Sequence, residues 1–146
     1  MKQSGRASLL SIVAIVCVFL IGAMLLMGRE SLSSIGGRFM EALQKGDVDT
    51  LTKMSYLDNT SEDQMRKEWQ FATQTAGKYY AFLWSISATH ETDPRTGSVQ
   101  LSIVRNFTNP GSYPENFQLP LVKVGDDWKV DVKGISRDMY PGLPRG

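Results

Sequence analysis

A chain of 146 residues with a formal net charge of +1 and 21% charged side chains has material for one globular core and not two. Its single cysteine, Cys17, excludes an intrachain disulfide. Beyond Gly28 acidic side chains outnumber basic ones by one, so no basic patch is available to neutralise the phosphates of a nucleic acid.

Residues 1–6 form a short basic tail carrying Lys2 and Arg6, and residues 7–28 then run without a single charge. At 1.5 Å per residue such a run crosses a hydrocarbon core of roughly 30 Å as one helix. Leu9, Leu10, Ile12, Val13, Ile15, Val16, Val18, Phe19, Leu20, Ile21, Leu25 and Leu26 would meet the lipid bilayer. A cleaved signal peptide is the alternative. Its apolar core would be unusually long, and Ile21-Gly22-Ala23 places a branched residue where cleavage wants a small one. A lipoprotein anchor is excluded, because Val16 and Val18 flank Cys17. The expectation is an uncleaved single-pass helix.

Its orientation follows from a near balance of Lys2 and Arg6 against Arg29, Arg38 and Lys45. The short basic tail resembles a signal anchor, which leaves the N-terminus cytoplasmic and the domain periplasmic or extracytoplasmic.

Residues 29–133 make the predicted domain. Phe39-Met40-Glu41-Ala42-Leu43-Gln44-Lys45 has helical spacing and stops at Gly46. Asp47 is placed to cap a short helix carrying Val48, Leu51 and Met54. Ser61-Glu62-Asp63-Gln64 fits a capping box, and Met65, Trp69, Ala72 and Ala76 follow as one apolar stripe.

The period then changes to two. Tyr80, Phe82, Trp84, Ile86 and Ala88 alternate along a first strand, and Asp93-Pro94-Arg95-Thr96-Gly97 turns the chain. Val99, Leu101, Ile103 and Phe107 mark a second strand, and Phe117, Leu119 and Leu121 a third. Pro120 lacks a ladder donor and is expected at an edge or bulge. Gly125-Asp126-Asp127 leads into a last strand with Trp128, Val130 and Val132 on one face. Residues 134–146, with Ile135, Met139, Tyr140 and Leu143, are expected as an extended tail, either disordered or laid on another surface. Helices followed by antiparallel strands give an α+β class.

The Phe39–Asp47 segment ending in Gly46-Asp47, the capped third helix and the closing Gly125-Asp126-Asp127-Trp128-Lys129-Val130 hairpin resemble the nuclear transport factor 2-like (NTF2-like) superfamily. That resemblance implies three helices packed on a strongly curved antiparallel sheet, a cone that holds a small ligand in some members. It implies little about function, since the fold hosts enzymes, binders and assembly subunits alike.

Enzymes of that group place Asp, His or Tyr inside the cone. Strict alternation would aim His90 and Arg105 inward, with Arg105 across from Trp84 and stacked on its ring. Arg105, His90 and Trp84 are therefore the candidate ligand-binding residues. No carboxylate is expected on the same face, so no acid/base pair forms. No nucleophile motif, phosphate loop, metal-ligand spacing or cofactor signature is present. The expected role is a non-enzymatic accessory or assembly subunit of an integral membrane complex, contacted through the helix and the domain. A tethered small-ligand binder or weak enzyme is the alternative.

Overall fold

In the computed structural model the described residues are 11–21, 30–76 and 81–146, and the chain divides into two units, 1–31 and 32–146. In the first unit residues 11–21 are helical (α1), and their large apolar side chains are 50% exposed at Val16 and up to 75% at Phe19. Among the described residues no helix is long and apolar enough to cross a membrane. The remaining positions of the expected span, 7–10 and 22–28, lie outside the described residues, as do Gly77 and Tyr80.

The second unit begins with α2 (Leu32–Lys45), whose buried side is Ile35, Gly36, Phe39, Met40, Ala42 and Leu43. Gly46 ends it at φ 70°, a left-handed conformation that glycine adopts without strain. Asp47 caps α3 (Val48–Met54), its Oδ1 accepting from the Thr50 N–H at 3.2 Å. Ser61 caps α4 (Glu62–Ala76) by accepting from the Gln64 N–H at 3.2 Å. The stripe Met65, Trp69, Ala72 and Ala76 is buried throughout. Trp69 meets Phe39 edge-on at 5.9 Å. Its indole N–H donates to Ser55 Oγ at 2.9 Å, and that hydroxyl donates to the Leu51 carbonyl at 2.6 Å. The largest core side chain is thus fully satisfied as well as buried.

Five strands form one sheet in the spatial order β1-β5-β4-β3-β2. They are β1 (Ser55–Tyr56), β2 (Phe82–Asp93), β3 (Thr96–Arg105), β4 (Pro114–Val124) and β5 (Asp127–Asp131). The short β1 pairs in parallel with β5, a ladder the sequence pattern did not announce. Two bulges in β2, between Ile86 and Ala88 and between Glu91 and Asp93, each insert one residue against β3. A bulge bends and twists its strand, which curves the free edge of the sheet.

Pro120 lies in the central strand β4 and not at an edge. The Lys123 N–H points to the β3 side, where it donates to the Arg95 carbonyl. By alternation position 120 would donate toward β5, but the β4–β5 ladder ends at Leu121–Val130. The missing donor costs no hydrogen bond.

The sheet has two unlike faces. Val99, Leu101, Ile103, Leu119, Leu121 and Val130 are at most 2% exposed beneath the helices. Gly36 lets α2 approach closely: a Cβ there would stand 3.0 Å from a Val99 methyl. On the opposite face, cross-strand rows read Ala88–Gln100–Gln118, Ser85–Ser102–Asn116 and Leu83–Val104–Pro114.

The segment 134–146 belongs to the domain. A short 3-10 turn at Val132–Gly134 leads to Ile135, Met139, Tyr140 and Leu143, all buried in the core. Tyr140 packs edge-on to Phe82 at 6.2 Å, and the Arg145 N–H donates to Glu68 on α4 at 3.0 Å. The tail expected to be extended is an arm laid along its own α4, because four apolar side chains gain more from burial than the segment loses in freedom.

Candidate functional site

Arg105 ends β3 on the helix-facing side, in step with Leu101 and Ile103. Its direct cross-strand neighbour is Phe82, while Trp84 faces Ile103. The expected Arg105–Trp84 contact assumed an unbroken hairpin, and the two bulged residues move the register by two. The guanidinium instead lies 5.5 Å from the centroid of Phe117, and its Nη2 donates to Glu115 Oε2 at 2.5 Å. Glu115 faces Ile103 from β4 and so shares the inner face. This corrects the expectation that no carboxylate would be found there. Both side chains are about a quarter to a third exposed, so the pair sits at the open end of the face and not in the sealed core.

Trp84 is half-buried. Its indole N–H donates to Gln44 Oε1 at 3.3 Å, and Gln44 in turn donates to the Phe82 carbonyl at 2.9 Å, tying α2 to the start of β2. The ring reaches over Gly37, its Cη2 3.8 Å from where a Cβ would stand. Trp84 is therefore a clamp between helix and strand.

His90 stands apart. The bulge at Ser87 reverses which residues of β2 face the helices, so His90 pairs with Ser98 on the outer face and is exposed. Arg105 is seven residues further along β3, roughly 23 Å away at the usual strand rise. The structure brings Arg105, Glu115, Phe117 and Trp84 to one end of the inner face and separates His90 from them by face and by distance.

The groups with displaced titration lie elsewhere. Hydrogen bonds from the Thr50 hydroxyl and N–H hold the Asp47 carboxyl below its ordinary range, and N–H donors of Arg95 and Thr96 with the Thr96 hydroxyl do so for Asp93. Tyr56 is pushed up because its hydroxyl donates to Asp58. Each is local turn or cap chemistry. Among the described residues no cluster of His, Cys, Asp and Glu could hold a metal ion. A groove of about 410 Å³ runs between α4 and the C-terminal arm, lined by Gln64, Lys67, Phe71, Leu143 and Arg145 among others. The Glu68 carboxylate in its lining already accepts from the arm's backbone. This groove went unread in the sequence, and the isolated Phe71 on the polar side of α4 was its only signal.

No known protein family and no curated protein matches this chain. Solved structures do resemble it. A SEC-C motif containing protein from Rhodopseudomonas palustris is 15% identical, with a TM-score of 0.50 over 75% of this chain and 84% of that one. Several neighbours are themselves NTF2-like. One from Shewanella oneidensis, of unknown function, is 13% identical with a TM-score of 0.43 over 66% of this chain and 88% of that one. A ketosteroid isomerase-like protein from Erwinia carotovora is 10% identical with a TM-score of 0.43 over 66% and 85%. At these identities the likeness concerns fold alone.

Proposed function

We propose that this chain is a non-enzymatic accessory or assembly subunit, held in a membrane by its N-terminal helix and presenting an NTF2-like domain to a larger membrane complex. The observation that carries the reading is the character of 11–21: helical, without charge, and exposing apolar side chains on every side. A helix apolar all round requires lipid or other apolar helices about it. The uncharged run extends through 7–28, the length a bilayer asks for. The short basic tail before it favours a cytoplasmic N-terminus and an extracytoplasmic domain.

The non-enzymatic half of the reading rests on how the described inner face is occupied. Its centre is filled by side chains with no exposure, His90 is turned away, and Arg105 is engaged by a carboxylate of its own domain. A binder for small anions would keep that guanidinium uncommitted. The test is purification of the full chain from membranes in mild detergent. The expected result is a stoichiometric integral membrane partner that is lost when residues 1–28 are deleted. A full chain that purifies without one speaks against the subunit role.

A further inference from the structure

We propose that the groove between α4 and the C-terminal arm takes an extended segment of a partner protein, one that carries an acidic side chain and, two residues along, an apolar one. The inference goes beyond the membrane reading and uses the domain alone.

The groove has two walls. One is the side of α4 that bears Gln64, Lys67 and Phe71, and the other is the arm at Gly142, Leu143 and Arg145. The arm runs antiparallel to the helix. A Cβ on Gly142 would stand 3.4 Å from Ala72 Cα, and one on Gly146 would stand 3.2 Å from Thr60 Oγ1. Gln64, Lys67 and Phe71 are all exposed, so the space is an open trough and not the enclosing cavity that a small ligand needs. Phe71 is 68% exposed, a large apolar ring offered to whatever lies there.

The occupant follows from the charges. The Glu68 carboxylate is held by three donors, the N–H groups of Arg145 and Gly146 at 3.0 and 3.4 Å and Gln64 Nε2 at 3.2 Å. The Arg145 guanidinium donates to the carbonyls of Lys133 and Ile135, which are neutral acceptors. Lys67 makes no hydrogen bond or ion pair among the described residues. Two cations without a carboxylate partner beside an exposed aromatic ring complement a ligand that is acidic at one point and apolar at the next.

Spacing sets the ligand's conformation. Lys67 and Phe71 lie one helical turn apart, about 6 Å along the axis. On an extended chain, residues i and i+2 point the same way and stand about 6.6 Å apart. An acid over Lys67 therefore places an apolar side chain over Phe71, with the intervening residue turned to solvent. A helix, about 10–12 Å across with its side chains, is too wide for a trough of about 410 Å³.

The test is fluorescence anisotropy with two labelled short peptides and the full chain in detergent micelles, empty micelles giving the baseline. Both peptides are serine and glycine apart from one glutamate and one leucine, spaced i, i+2 in the first and i, i+1 in the second. The first should bind with a Kd of about 100 μM, and the second at least about tenfold more weakly because its leucine points away from Phe71. Lys67→Glu should weaken the first at least about tenfold and bind instead the peptide in which lysine replaces glutamate. Phe71→Ser should also weaken it, whereas Lys53→Glu on α3, the same charge change outside the groove, should not. Circular dichroism should show every variant folded; if Lys67→Glu does not fold, Lys67→Gln serves for the loss of binding. Equal binding of the two spacings would overturn the proposal, as would a Lys67→Glu chain that keeps its preference for glutamate. So would a chain that binds neither peptide, including one whose self-association is lost on Phe71→Ser, which would give the groove to a second copy.

Discussion

The two faces of the sheet are made by the same three central strands, and they differ in kind. On one, Leu101 and Leu119 are wholly buried against Phe39, Met40 and Trp69. On the other, Gln118 is exposed and Ser102 half-buried among neutral side chains. The contrast teaches that stability resides on the helix side of the sheet. It also teaches that the helix-facing side of the sheet is used for packing, with Arg105 and Glu115 paired at one end of it.

The sharpest way to break the comparison is to truncate equivalent positions on each face. Leu101→Ala should cost about 2–5 kcal/mol in urea unfolding, the price of a buried cavity. Gln100→Ala, its chain neighbour on the other face, should stay within about 0.5 kcal/mol. Equal losses would mean that the outer face is also core. Trp84→Ala tests the boundary between the two regimes. As a half-buried clamp it should cost about 1.5–3 kcal/mol, less than the ~3–5 kcal/mol of a sealed tryptophan.

Adjacent glycines of α2 sharpen the same contrast. Gly37→Ala meets only ordinary contact with Trp84 and should stabilise by about 0.5–1 kcal/mol through helix propensity. Gly36→Ala would press on the branched Val99, so strain should outweigh that gain and thermal unfolding should fall. Arg105→Met should change stability by less than about 1 kcal/mol, because its pair with Glu115 is partly solvated. A larger loss would place the pair in the core.

The smallest expected effect is one of pH. Asp47 and Asp93 titrate lower in the folded chain than their ordinary value of 3.8, so the folded state binds their protons less readily than the unfolded state. Their contribution is fully present above that value and is lost as pH falls through the lower folded values. Asp47→Asn with Asp93→Asn should flatten the acid limb of a stability–pH curve below pH ~4 and leave its slope near neutrality unchanged, the lost contribution appearing there as a constant offset.

The helices were legible because their signals are local: Asp47 and Ser61 are caps, Gly46 is a stop, and Met65–Ala76 is one periodic stripe. The β2–β3 register was not, since Ser87 and Thr92 are bulged without a glycine to mark either site. One extra residue reverses the facing of everything beyond it, which is why alternation aimed His90 inward and the structure turns it out. Glu115 was within reach, since Phe117, Leu119 and Leu121 extended back by one alternate position arrive at it. Burial of the C-terminal arm was hidden because Ile135, Met139, Tyr140 and Leu143 share no period, and Pro141 and Pro144 suggest a loose end.

Attachment to a membrane through 7–28 is the claim on which the functional account depends, and alkaline carbonate extraction of membranes tests it most directly. The account predicts that the full chain stays in the membrane pellet, intact from Met1, while a chain starting at Leu32 is found in the supernatant. Release of the full chain by carbonate, or a mature N-terminus at Met24 or later, would contradict it.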